Sequence, residues 1–197
     1  MWKKFFLCTA LMCGVLGAGA ARAISFETRD FDALAREAEQ VVVGTATEAS
    51  SRRTGEREIV TDYRFDNLEV IKGSVPGPSL TLTLLGGTVG ADTLSVAGAP
   101  KFIAGVRYLV FVAGNGSVMF PMVGGQQGIF QIRSDAATGV ARVHDYAGRP
   151  VTRLPVRGDQ SLVDNNSTGS TDPAAGALTK DDFITAIKTR MAAQGAK

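Results

Sequence analysis

His144 is the one histidine of this sequence, and Asp145 follows it directly. An imidazole beside a carboxylate is the beginning of general-base chemistry, with a serine hydroxyl as the nucleophile it would activate. No Gly-x-Ser-x-Gly elbow presents such a serine. The pair sits in the turn-like run His-Asp-Tyr-Ala-Gly-Arg-Pro, where the plainer reading of His144 is an exposed loop residue. A zinc centre would draw three or four ligands from histidine, cysteine and carboxylates, and a single histidine does not supply them.

Other chemistry-bearing runs reduce in the same way. Asp62, Asp66, Glu69 and Asp92 could supply paired carboxylates for glycoside hydrolysis, yet Asp62 and Asp66 share the face opposite Tyr63 and Phe65 and read as solvent-facing. Asp164-Asn165-Asn166-Ser167-Thr168-Gly169 resembles the opening of a calcium loop, but the twelfth position is Ala175, where a bidentate Glu is needed. Gly86-Gly87-Thr88-Val89-Gly90 follows a strand without the spacing, or the following helix, of a phosphate-cradling loop, so tight turns account for it. Arg52, Arg53 and Arg57 read as part of a solvated hairpin tip over residues 50–58. Triplets at Asn115, Asn165 and Asn166 fit the glycosylation pattern. No catalytic set, metal or cofactor is expected.

The first 23 residues set the context in which these groups act. Lys3 and Lys4 precede a small, apolar stretch, and Ala21 and Ala23 are the small residues read at signal cleavage. The stretch is short for a spanning anchor. Cys13 follows Met12, where a lipoprotein needs a small residue. Export is therefore expected, to the periplasm or beyond, with no membrane span after processing. Removing 23 of the 197 residues leaves 174, enough for one domain with a core. Both cysteines, Cys8 and Cys13, leave with the signal, as does Trp2. So do Lys3, Lys4 and Arg22, which takes 21 basic residues to 18 against 19 acidic ones. A near-neutral chain has no electrostatic footprint for nucleic acid, and without tryptophan it is poor in stacking groups for oligosaccharides or single strands.

These residues must be positioned mostly by strands. A short helix is expected over residues 30–39, with Phe31, Leu34, Ala35 and Ala38 on one face. Residues 41–47 then read as a buried strand. Ile59, Thr61, Tyr63 and Phe65 alternate with polar neighbours, and the apolar phase shifts near Asn67, which predicts a bulge. Leu80, Leu82 and Leu84 mark a third strand. A Gly-rich connection over residues 86–100 could hold a short strand at 93–96. Residues 107–112 form another strand, and Asn115-Gly116 signals a tight hairpin into a strand over 117–122. Ile129, Phe130 and Ile132 make a sixth, with a small strand at 141–143. Residues 157–178 read as a flexible loop or linker. Residues 179–197 read as a C-terminal helix, capped by Thr179 and Asp182 and docked by Phe183, Ile184, Ile187 and Met191. About six short strands between turn signals predict a mainly β domain over residues 24–156, a small barrel or sandwich with one helix at each end.

The runs Glu39-Gln40-Val41-Val42-Val43-Gly44-Thr45, Tyr63-Arg64-Phe65, Val70-Ile71-Lys72-Gly73 and Gly105-Val106-Arg107-Tyr108-Leu109-Val110-Phe111 make the chain similar to the OB-type barrel of netrin-like modules and the tissue inhibitors of metalloproteinases. It also resembles uncharacterised exported bacterial proteins that share a Gly-Gly-Thr-Val-Gly segment. The similarity spans roughly residues 41–132. It implies an OB-like antiparallel barrel and a binding role. Those inhibitors chelate protease zinc through an N-terminal cysteine, and Ile24 stands at that position here, so the chelating wedge is not carried over.

The expectation is thus an exported, non-enzymatic binding module that engages another extracytoplasmic protein, a co-exported protease being one candidate. Gly86, Gly87, Thr88, Gly124, Gly125, Gln126 and Gln127 are the expected contact residues, with both glutamines offering hydrogen bonds. The alternative is a hydrolase with a carboxylate or Ser-His site near His144.

Overall fold

Val41, Val42 and Val43 are all fully buried, because the strand that carries them is covered on both faces. The computed structural model describes residues 29–154 and 176–195. The expected signal segment with Ala21 and Ala23, Ile24, the run from Asp164 to Gly169, the Asn165 and Asn166 triplets and most of the expected linker lie outside those residues. In chain order the elements are α1 (Phe31–Glu37), β1 (Gln40–Arg53), β2 (Ile59–Lys72), β3 (Leu80–Leu85), β4 (Gly87–Val89), β5 (Asp92–Leu94), β6 (Arg107–Val112), the 3-10 turn η1 (Gly125–Gly128), β7 (Ile129–Ser134), β8 (Ala141–His144) and α2 (Lys180–Gly195). The protein is mainly β, with a short N-terminal helix and a C-terminal one. No helix among the described residues is long and apolar enough to cross a membrane.

Six strands pair antiparallel in the order β3-β2-β1-β6-β7-β8, and β4 and β5 form a separate hairpin. β1, β2 and β3 are successive neighbours, and β6 returns to lie beside β1, which is a Greek key. Among the described residues no ladder joins β3 to β8. The bulge expected near Asn67 is present. Val43 pairs with Glu69 but Thr45 with Asp66, so β2 carries one extra residue there, and Asn67 takes a left-handed φ of 53°.

Alternation divides the buried residues between two faces. Val41, Val43, Leu109, Phe111, Phe130 and Ile132 face the helices. There Phe183 of α2 packs edge-on against Phe31 of α1 at 5.2 Å and lies 4.9 Å from Phe130. Thr179 donates its hydroxyl to Asp182 Oδ2 and accepts from the Asp182 amide, which forms the N-cap half of the expected capping box. α1 is capped by Asp30, whose Oδ1 accepts the Ala33 amide at 2.7 Å. At its other end Lys72, the last residue of β2, donates to the Ala35 and Arg36 carbonyls, where a cation also suits the helix dipole. On the opposite face Phe65, Phe102 and Tyr108 form an edge-to-face cluster with centroids 4.9 and 5.1 Å apart.

Two local expectations need correction. Residues 117–122 do not form a ladder strand. The amides of Ser117 and Val118 both turn back to the Gly114 carbonyl, Pro121 has no N–H to donate, and only a single bridge joins Met122 to Val112. The hairpin tip is also shorter than residues 50–58, since β1 runs through Arg53 and β2 resumes at Ile59. Arg52 and Arg53 are therefore strand residues.

Candidate functional site

The irregular segment that replaces the expected strand shapes one edge of the sheet. Asn115 donates from Nδ2 to the Thr81 carbonyl at 2.7 Å and accepts the Thr83 amide at 3.3 Å, while the Leu85 amide donates to the Met119 carbonyl at 3.0 Å. These bonds satisfy backbone groups of β3 that an edge strand would otherwise leave open. They also occupy the Asn115 side chain, so a sugar at this triplet would have to displace them.

Between this segment, the β1–β2 hairpin and β5 lies a groove of about 710 Å³. Val60, Leu85 and Leu94 give it apolar walls, and Val118 and Met119 stand at it with 49% and 48% of their surface exposed. Arg52, Arg57 and Glu58 line it as well. Arg52 is committed to Asp62, at 2.6 Å from Nε to Oδ2, and the Thr83 hydroxyl donates to Asp62 Oδ1 at 2.6 Å. Burial alone would raise the Asp62 carboxyl, but Arg52 and Thr83 hold it below the usual carboxylate range. The Thr47 hydroxyl and Arg64 do the same for Asp66, Glu69 pairs with Lys180 at 3.0 Å, and Asp92 pairs with Arg53. These four carboxylates are thus paired anions. A glycosidase pair needs one carboxyl kept protonated, and Asp62 and Asp66 are held in the opposite direction.

Of the expected contact loops, the one carrying Gly86, Gly87 and Thr88 lies beside this groove, sharing Leu85 and Leu94 with it. Gly86 donates its amide to the Ile59 carbonyl at 2.8 Å, and its own carbonyl accepts the Thr61 hydroxyl at 2.7 Å. Because Thr61 donates there, the 2.9 Å contact between Ser51 and Thr61 must be donated by Ser51. Gly87, at φ 143°, passes so close to this pair that a Cβ would meet Thr61 Oγ1 at 2.4 Å and Ser51 Oγ at 2.5 Å. Thr88 bonds Thr93 across the small hairpin at 3.0 Å. Gly86, Gly87 and Thr88 line a cavity of about 130 Å³ with Ser95, Val96 and Lys101.

Gln126 donates to the Gly98 carbonyl at 3.2 Å, so the two expected loops do meet. Gly124 caps η1 in a left-handed conformation, and Gly125 is buried. Gln127 accepts the Arg29 amide at 2.9 Å and donates back to Gly124. Both glutamines thus make internal bonds. Sequence reasoning missed Val118 and Met119 as surface residues. Two adjacent apolar residues after Asn-Gly-Ser carry a signal, but alternation would have sent one of them inward.

His144 corrects its expectation outright. It is the last residue of β8, paired with Gln131 of β7, and only 7% exposed rather than placed in a loop. The ladder runs one residue past the apolar Val143, which brings the imidazole onto the sheet. Burial, and next the Arg133 charge, hold it below the ordinary histidine range. Its Nδ1 is buried without a hydrogen-bond partner. Asp145 does not orient it. That carboxylate accepts the Arg149 amide at 2.9 Å and Arg149 Nε at 2.7 Å, closing the turn after β8. The two side chains singled out for hydrolysis are adjacent in sequence, and the Asp145 charge acts on His144 only as the smallest of its influences, without a hydrogen bond between them among the described residues.

Fold and site together define a class: a mainly β Greek-key sheet with helices on one face and an apolar groove along one edge. Comparison with protein-family models, curated proteins and solved structures finds no match to the chain.

Proposed function

We propose that this chain is an exported, non-enzymatic binding module that engages another extracytoplasmic protein. The observation that carries the reading is the groove beside β3, with Val118 and Met119 half-exposed at it. Its volume falls within the roughly 300–1,000 Å³ typical of binding pockets. Solvated apolar side chains beside such a pocket favour a partner with its own apolar group to insert. The Greek-key order, and the segment that meets β3 after β6, support an OB-like barrel left partly open. On this reading the loop carrying Gly86, Gly87 and Thr88 backs the groove, and an inserted protease loop is one form the partner could take.

The test is affinity capture from the host's exported fraction with the processed chain and its Met119→Asp variant as parallel baits. A charge at this solvated position should change folding stability by no more than about 0.5 kcal/mol, checked by thermal melting. A protein enriched on the parent bait and lost from the variant supports the reading. Identical enrichment on both, with folding unchanged, removes the groove from it.

A further inference from the structure

We propose that Arg133, Arg142 and His144 form a binding site for a single carboxylate, on the sheet edge opposite the groove. The three side chains line a cavity of about 360 Å³ with Ser134 and the turn that begins at Asp135. The ladder puts them there. Arg133 pairs with Arg142 and Gln131 with His144, and residues facing each other across an antiparallel ladder project to the same side. The intervening pair, Ile132 and Val143, points to the helix-covered core.

Two guanidiniums directly opposite each other on a ladder repel, and the protein only partly compensates. Asp135 Oδ2 stands 3.9 Å from Arg142 Nε, beyond hydrogen-bond distance. Its Oδ1 accepts the Ala137 and Thr138 amides and the Thr138 hydroxyl. Arg133 directs Nε and Nη2 to Gln131 Oε1, and Arg142 directs Nη1 to the Ala177 carbonyl. Among the described residues Arg142 Nε and His144 Nδ1 remain buried with no hydrogen-bond partner, Arg142 Nε keeping only the long ion pair to Asp135. Buried nitrogens without partners are uncommon, and two on residues lining one cavity point to a group that completes them.

Charge selects the ligand. Two guanidiniums against one carboxylate leave a single positive charge, and the buried imidazole is neutral near pH 7. One carboxylate balances this, whereas a doubly charged phosphate overshoots. Guanidinium geometry also matches the two oxygens of a carboxylate. A small free acid and the C-terminal carboxylate of a peptide share this chemistry.

NMR of the full chain separates these sources. The His144 ring and arginine Nε signals are followed while acetate replaces chloride at constant ionic strength, then with N-acetyl-trialanine as free acid or amide. Expected is a saturable shift of His144 and Arg142 Nε, with the His144 titration midpoint moving up as the bound anion favours the imidazolium. Arg133→Gln, at an exposed position, should weaken acetate binding at least tenfold with the fold intact, and Arg142→Gln should abolish it. Tighter binding of the free-acid peptide than of acetate, with none by the amide, assigns the site to a protein terminus. Equal binding of peptide and acetate assigns it to small acids. Shifts that grow linearly with acetate, or that persist unchanged in Arg133→Gln, overturn the proposal.

Discussion

The two edges of the sheet solve one problem with opposite chemistry. β3 is guarded by the irregular segment from Gly114 to Pro121, using the Asn115 side chain and the Met119 carbonyl. β8 is guarded by main chain, with Val143 donating to the Leu178 carbonyl and accepting from Val151. At the β3 edge the neighbouring charges are matched, Arg52 with Asp62 and Arg53 with Asp92, and the unmatched surface is apolar. At the β8 edge Val143 is buried, and among the described residues nitrogens of Arg142 and His144 are left without hydrogen-bond partners. Surface left over after folding is where binding has free energy to gain, so the edges favour different ligands.

The largest test of this contrast is at the helix side of β8. Phe183 is fully buried between Phe31 and Phe130 and helps hold the segment that pairs with Val143. Phe183→Ala should cost about 3–5 kcal/mol, read as a lowered urea midpoint. Amide protection at Val143 should fall with it, while the Leu85 amide stays protected until global unfolding. Loss of protection at both edges together would mean that they are one cooperative unit. A smaller effect is expected at the β3 edge. Asn115→Ala leaves the Thr83 amide and Thr81 carbonyl to solvent and should cost about 1 kcal/mol. Its signature is faster exchange at Thr83 alone. An unchanged Thr83 rate would show that Asn115 does not guard this edge.

Much of the scaffold is legible in the residues. The Val41-Val42-Val43 run gives a doubly covered strand, the phase shift near Asn67 gives the bulge, and Thr179 with Asp182 gives the helix start, because each is set by local backbone chemistry. Positions 117–122 mislead because their apolar content suits a strand, while the Gly114 turn and Pro121 deny it a ladder. His144 misleads for a related reason: a polar residue before a turn reads as exposed, yet pairing with Gln131 buries it. Gln126 and Gln127 look like free hydrogen-bonding groups until the fold brings Gly98 and Arg29 to them. Partners distant in sequence decide these burials and bonds, and their placement depends on the Greek-key return of β6 beside β1.

The smallest predicted effect is also the most specific to one edge. His144 is held below its ordinary value of 6.5 in the folded protein, by burial first and by Arg133 next. The unfolded chain therefore binds more protons than the folded one as pH drops through that value and below it. Stability contributed by the neutral imidazole is present above pH 6.5 and is lost progressively as the pH falls below it. Asp62, Asp66 and Asp135, each held below the usual carboxylate range, act in a lower window, since their contribution fades only as their unfolded forms protonate near pH 4. His144→Gln should flatten the slope of stability between pH 7 and 5 and leave the acid limb unchanged, measured by urea unfolding at stepped pH. A slope unaffected by the substitution would place the proton uptake elsewhere, away from His144.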